Sequence, residues 1–331
     1  MTLLKTLLAT ALVAASLVSG AHAQDRTIKF AFQNPKDHPQ AQGAQKFADL
    51  VAAKSGGKIQ VKLFPGGTLG GDLQTVSALQ GGTVEMTVLN AGILSAQTKE
   101  FGIYDFPFLF ANEKEADAIV DGPIGQKMHA ALADRGIVGL SYWELGFRNM
   151  TTKEPLNSPA QAKGMKLRTF PNEMMRWSLE SMGFTIQIMP LPEVFLAIQQ
   201  GAVQGQENPI DTIFSNKFYE VAPNITLTNH VYSPIPLAVS EKTWQKLSPA
   251  DQKAITEAAK IAGKFSREMI AGNDDNQLKE MSAKGAKVNA KPDLAAFREA
   301  VKPAYDKARE KYGADVDKVL AEAEAIRKTT K

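Results

Sequence analysis

The sequence predicts an α/β protein built as two lobes, each a mixed, mostly parallel sheet flanked by helices. Three observations predict it. Apolar runs of strand length alternate with helix-length amphipathic segments, the pattern of β-α-β units. The same grammar restarts near Gly146 with a different set of residues. The chain has 331 residues, more than the ~250–300 at which single cores stop growing.

The first 23 residues read apart from the rest: one charge at Lys5, an apolar stretch "LLATALVAASLV" over 7–18, then "AHA" at 21–23. Small residues at both cleavage-determining positions mark a secretory signal peptide cut before Gln24. The apolar stretch is shorter than the ~20 residues a spanning helix needs, and no second one follows. The sequence has no cysteine, which excludes disulfides, lipid attachment through cysteine and thiolate chemistry. A soluble, extracytoplasmic chain is expected, and one of this size buries enough surface without cross-links.

"TIKFAFQ" (27–33) reads as the first strand and the Pro-containing "NPKDHPQ" as a loop. "AQGAQKFADLVAAKSGG" reads as a helix, with Phe47, Leu50 and Val51 at helical spacing before a Gly-Gly stop. "KIQVKLFPGG" is a second strand with Ile59, Val61 and Leu63 alternating. "GGDLQTVSALQGG" is a helix with Asp72 as N-cap and Gly81 as its stop. "TVEMTVLNAG" is a third strand, ending at Asn90. Sheets of this kind bind ligands beyond the carboxyl ends of their strands, where Gln33 and Asn90 fall.

In the second half, "GIVGLSYWELGFRNMTT", "KGMKLRTFPN", "FTIQIMP" and "AVQGQENP" read as strands. "NEMMRWSLESMG" and "LPEVFLAIQQG" read as helices, the latter with Pro192 in its first turn and Gly201 at its stop. "VYSPIPLAVSEKTW" reads as a strand returning to the first lobe, and helical patterns dominate thereafter. The expected organisation is a signal peptide at 1–23, one lobe from 24–145 plus 234–273, and a second from 146–233 plus 274–331. Crossing strands, in place of a single linker, predict a hinge.

A formal net charge of +3 with lysines scattered among acids lacks the basic stripe that nucleic-acid binding requires. GxSxG, a P-loop, HExxH and a GxGxxG after the first strand are all missing. His38, His129 and His230 follow the signal segment. None has a neighbouring serine or metal-ligand spacing, and each reads as a loop or surface-helix residue. "PGGTLGG" (65–71) lacks the Lys-Ser/Thr pair of a phosphate cradle and reads as a tight turn. Glu207 has no partner carboxylate placed opposite it. An enzyme is not expected, nor a cofactor or metal.

What remains is a set of donors at strand ends. Arg168 closes the short apolar run in "KGMKLRTFPN" and is followed by Thr169, Phe170 and a proline. A lone arginine there would read as a surface residue. Arg148 in "GFRNMTT" and Asn208 in "GQENP", however, end neighbouring strands of the same lobe. Two guanidiniums and an amide offer donors to an anion, and a guanidinium fork matches a carboxylate bidentately. Phe30, Phe32, Tyr142, Trp143, Phe147, Phe170 and Phe195 flank these positions as core packing or as an apolar lining. Trp143 is the first choice for the lining.

Taken together, "GFRNMTT", "GMKLRTFPN", "MPLPEVFLAIQQGAVQGQENPI" and "KFYEVAPNITLTNH" resemble the substrate-binding proteins of tripartite ATP-independent periplasmic (TRAP) transporters, the DctP-like family. The match runs from "IKFAFQ" to the terminal helices. It implies a type II-like periplasmic binding protein fold, with crossing strands and a long hinge-spanning helix. It also implies capture of one organic acid in the periplasm and delivery to the small and large subunits of a membrane permease. Under the resemblance Arg168 is the carboxylate anchor and Arg148 a second contact or an orienter of the first. Asn208 then hydrogen-bonds the ligand, and Gln33 and Asn90 contact its remainder. Two departures are visible: Gln204 stands where the family has aspartate, either tuning the site or making a packing hydrogen bond, and Leu191 stands where some relatives carry an aromatic.

Neutral amides at Gln33 and Asn90 suit hydroxyls better than a second carboxylate. The expected ligand is therefore a hydroxylated monocarboxylate such as an aldonate, uronate or small hydroxy acid. A C4-dicarboxylate is the alternative, with Arg148 taking the second charge, and a ligand sensor for a signalling receptor is another. A monomer is expected.

Overall fold

The computed structural model describes residues 26–329, so the expected signal peptide lies outside the described residues. Its strands are Arg26–Ala31 (β1), Ile59–Phe64 (β2), Met86–Val88 (β3), Ile137–Thr152 (β4), Lys166–Thr169 (β5), Thr185–Ile188 (β6), Gly205–Pro209 (β7), Asn224–Thr226 (β8), Tyr232–Ser240 (β9) and Lys287–Asn289 (β10). They connect in the order β2-β1-β3-β9-β4-β7-β5-β6, with β8 on β4 and β10 on β8.

In the first lobe β1 is parallel to both β2 and β3. In the second, β5 is parallel to both β6 and β7. The antiparallel pairings belong to β4 and β9, the two strands that join the lobes. β4 pairs with β9 over its first part and with β7 and β8 over its last. The register slips between Glu144 and Phe147, where Gly146 takes a φ of 87°. A residue with a Cβ would be strained there, so the chain bends where one sheet hands over to the other.

Alternation along the strands separates core from cleft. Ile28 and Phe30 of β1 are fully buried with Phe47 and Val51 of helix Pro39–Lys54 and Ala258, Ala259 and Ala262 of helix Pro249–Ile270. This long helix runs over the first lobe and ends at Ile270, beside Gly146. The helix that follows, Asp274–Ala283, docks on the second lobe, where Asn273 and Gln277 both donate to Asp211. That lobe has its own core of Val194, Ile198, Ile213, Phe218, Ile225 and Met281.

A third cluster joins Phe101, Phe106 and Ile119 to Met174, Leu179, Phe297 and Ala304. Residues 294–329, which the sequence reading groups with the second lobe, thus pack against the first as well. Tyr305 donates to the Pro107 carbonyl at 2.6 Å, and Arg327 pairs with the buried Glu115 at 2.8 Å.

Two local expectations differ from the structure. Helix Asp72–Gly81 has Gly71 at its N-cap with no side-chain cap, and Asp72 is its first residue. Of the three described histidines, two are interior and His129 is half-buried. His38 and His230 are fully buried, and His129 stacks on Tyr142 with ring centroids 4.0 Å apart. His38 caps helix Pro39–Lys54 by accepting from Gln40 N, and its Nε2 meets Thr212 Oγ1 of the second lobe at 3.2 Å. Burial lowers its pKa to about 3, so it is a neutral link between lobes at any ordinary pH.

Candidate ligand-binding cleft

Between the lobes, at the carboxyl ends of β1, β3 and β5, lies a cleft lined by residues of both. Gln33, Asn34, Asp72 and Asn90 come from the first lobe, and Arg148, Arg168, Phe170, Leu191, Asn208 and Thr212 from the second side. Of the seven residues singled out in the sequence, six meet here. Trp143 does not. It is fully buried in the first-lobe core, edge-on to Phe30, with Nε1 donating to the Ala259 carbonyl at 3.2 Å. Its ring is taken up by helix Pro249–Ile270, against Gly263, while Leu145, two residues further along β4, reaches the cleft. Of the flanking aromatics, Phe170 alone lines the cleft.

The two arginines are positioned by the sheet. Leu167 of β5 is sunk in the core, so its neighbour Arg168 emerges on the other side of the strand. Arg168 Nε and Nη2 both donate to the Met189 carbonyl, at 3.0 and 2.7 Å. This clamp holds the guanidinium plane while Nη1 has no protein acceptor among the described residues. Burial pulls the Arg168 pKa down to about 10, with Glu207, Asp72 and Glu193 opposing. It therefore carries its charge at neutral pH, partly desolvated and open to an anion.

Arg148 is occupied. Its Nε pairs with Glu207, its Nη2 donates to the Glu207 carbonyl at 2.7 Å, to Glu207 Oε1 at 3.0 Å and to Asn208 Oδ1 at 3.0 Å, and its Nη1 reaches Ser233 at 3.1 Å. Glu207, which looked unpartnered in the sequence, also accepts from Thr169 at 2.7 Å and from His230 Nε2 at 3.3 Å. His230 Nδ1 lies 2.8 Å from the Thr228 hydroxyl. Burial alone would raise the Glu207 pKa, but Arg148 and the His230 hydrogen bond outweigh it and hold the carboxyl at about 2. Arg148 is thus engaged by protein groups, Asn208 among them, and stacks over Phe170 at 4.9 Å.

Gln204, the departure from the family pattern, lies away from the cleft. Its Oε1 accepts from Lys166 N at 2.8 Å at the start of β5, so it is a packing hydrogen bond. The lobes touch at the cleft mouth, where a Cβ on Gly67 would come within 2.8 Å of both Gln33 Oε1 and Pro192 Cγ. The "PGGTLGG" turn is therefore a seat for the second lobe. Asn34, Asp72 and Thr212 were missed in the sequence. Asp72, directly after Gly-Gly, was masked by its resemblance to an ordinary helix cap.

Two α/β lobes hinged on crossing strands, with a clamped arginine facing the cleft between them, define a solute-binding protein of the periplasmic type. The chain belongs to the bacterial extracellular solute-binding protein family 7, DctP, whose family model matches residues 30–311. It is a TRAP-type solute-binding protein, a transport component and not an enzyme.

The sugar acid binding protein DctPAm from Advenella mimigardefordensis, solved with galactonate, is 35% identical over 92% of this chain and 99% of that one, with a TM-score of 0.88. A TRAP periplasmic solute-binding protein from Polaromonas sp. JS666, bound to D-erythronate, is 35% identical over 89% and 98%, with a TM-score of 0.86. Among curated relatives, the 2,3-diketo-L-gulonate-binding periplasmic protein YiaO of Escherichia coli is 31% identical over 83% of this chain and 84% of its own length.

Proposed function

We propose that this protein captures a small hydroxylated monocarboxylate outside the cytoplasm and hands it to the small and large subunits of a TRAP membrane permease. The observation that carries the reading is Arg168, desolvated, clamped by one carbonyl and with Nη1 directed to no protein acceptor among the described residues. Its guanidinium binds the ligand carboxylate bidentately. Arg148 and Glu207 hold the wall on which Asn208 stands, and Asn208 supplies an amide N–H. Gln33 and Asn90 reach the rest of the ligand from the first lobe. Because both lobes contribute, the ligand stabilises the closed form and shifts a hinge equilibrium about Gly146. The galactonate, erythronate and diketogulonate named for its relatives support a sugar-acid ligand. The leader-like first 23 residues support export.

A thermal-shift panel of aldonates, uronates, small hydroxy acids, C4-dicarboxylates and neutral sugars tests this. A ligand at 100 times its Kd adds about 2.7 kcal/mol of stability. Stabilisation by a hydroxy acid in wild type but not in Arg168→Ala supports the reading. Stabilisation by neutral sugars alone, or equally in the variant, overturns it.

A further inference from the structure

The two walls of the cleft differ in hydrogen-bonding sense. On the second-lobe side stand donors, Arg168 and the Asn208 amide, whose Nδ2 gives one hydrogen to Gln206 Oε1 at 2.5 Å and keeps a second. On the first-lobe side three side chains present oxygen. Gln33 donates its Nε2 to the Gly70 carbonyl at 3.0 Å, which leaves Oε1 buried without a partner. Asn34 donates its Nδ2 to Gln40 Oε1 at 2.8 Å, and Gln40 in turn donates to the Val88 carbonyl, which leaves Asn34 Oδ1 equally without a donor. Both residues are more than nine-tenths buried, at 8% and 3% exposure. The third is Asp72, a carboxylate lining the same cleft with no ion-pair partner within 4.0 Å among the described residues. A buried acceptor without a donor is costly; the Gly70 carbonyl fixes the Gln33 amide and the Gln40 side chain fixes that of Asn34, so in each it is the oxygen that is left over.

We infer that Gln33, Asn34 and Asp72 form an acceptor wall that selects ligands by their hydroxyl donors and excludes a second carboxylate. The inference rests on the carboxylate-binding reading of Arg168 and sharpens it. A polyhydroxy acid anchored by its carboxylate on Arg168 projects hydroxyl hydrogens toward these oxygens and satisfies them. A C4-dicarboxylate would bring a second anion against Asp72 and two orphaned carbonyl oxygens, with nothing to donate. An ammonium group is a poorer fit, because burial raises the Asp72 pKa to about 6 against the opposing pull of Arg168 and Arg148, and those two guanidiniums line the same cleft and repel a cation.

Titration calorimetry on the full chain with D-erythronate, 2-hydroxybutanoate, butanoate, 4-aminobutanoate and succinate tests the wall. Wild type is expected to bind erythronate at least tenfold tighter than 2-hydroxybutanoate and at least a hundredfold tighter than succinate. The isosteric Asp72→Asn is expected to shrink the erythronate-to-succinate ratio tenfold or more, chiefly by tightening succinate, with an unchanged or higher melting temperature. The ligand series in wild type provides an independent check that requires no variant. If erythronate binds through Arg168 but the ratio moves less than twofold in Asp72→Asn, the acceptor wall is overturned while the carboxylate reading stands. Tighter binding of succinate or 4-aminobutanoate than of erythronate also overturns it. If none of these acids binds wild type, both readings fall.

Discussion

Arg148 and Arg168 are the two largest charged side chains buried among the described residues, each 2% exposed, on strands separated only by β7. Their surroundings could hardly differ more. Arg148 is held by a carboxylate, a carbonyl, an amide and a hydroxyl, all from the protein. Arg168 is held by one carbonyl. The difference teaches that burial of a charge does not by itself mark a binding group. What marks it is a buried charge whose hydrogen-bonding capacity the fold leaves incomplete. On the proposed reading the first is part of the scaffold and the second is the group that the scaffold presents to the ligand.

The comparison breaks most visibly through stability. Arg148→Met strands Glu207 in the interior with His230 and Thr169 alone, and loss of one partner of a buried pair costs about 3–5 kcal/mol. Urea unfolding is expected to show that loss, and a change below about 1 kcal/mol would remove Arg148 from the scaffold. Arg168→Ala is expected to do the reverse, weakening ligand binding by roughly two to three orders of magnitude, or about 2–5 kcal/mol, in titration calorimetry. Its melting temperature without ligand should stay close to wild type. Arg168→Lys keeps the charge but loses the planar fork, so an intermediate loss is expected.

Proton linkage sharpens the same contrast. Glu207 is depressed to about 2 by Arg148 and His230 acting against burial. Its stabilisation is therefore complete above the ordinary carboxylate pKa near ~4.3 and is lost as pH falls toward 2. Asp105 is opposite in sign. Burial raises it to about 8, and its Oδ2 has no partner. The folded state then holds a proton that the unfolded chain releases, so stability declines as pH rises from the carboxylate range to about 8, by at most ~1.4 kcal/mol per pH unit. Unfolding measured from pH 5 to 8 should show this slope in wild type and a shallower one in Asp105→Asn. The smallest effect is expected from Trp143→Phe. It should cost about 1–2 kcal/mol of stability through the lost hydrogen bond to Ala259 and lost packing. Affinity should change less than twofold.

Much of the fold was legible because it is written in local patterns: strand alternation at Ile59, Val61 and Leu63, glycine stops, and the return strand at Tyr232. The segment between Asn90 and Gly136 was not. Its 3₁₀ helices Ala91–Ala96 and Lys99–Asp105 are short and set by tertiary packing around Phe101 and Tyr104, which leaves no periodic signal. In the cleft, Arg168, Arg148, Asn208, Gln33, Asn90 and Phe170 were found by strand-end position and motif. Trp143 was misplaced because its partners, Ala259 and Gly263, lie more than a hundred residues away on helix Pro249–Ile270 and no local pattern shows that packing. The roles of His230 and Glu207 were hidden because their pairing spans 23 residues of sequence and exists only once β7 and β9 are assembled on either side of β4.

The most direct test of the central claim compares a sugar acid with its methyl ester, which keeps every hydroxyl and removes the charge. Calorimetric titration of D-erythronate and its methyl ester into wild type, Arg168→Ala and Arg148→Met would separate the two arginines. The account predicts strong preference for the acid in wild type, loss of that preference in Arg168→Ala, and its retention in whatever fraction of Arg148→Met remains folded. An ester that binds wild type as tightly as the acid, or a preference that survives in Arg168→Ala, would contradict it.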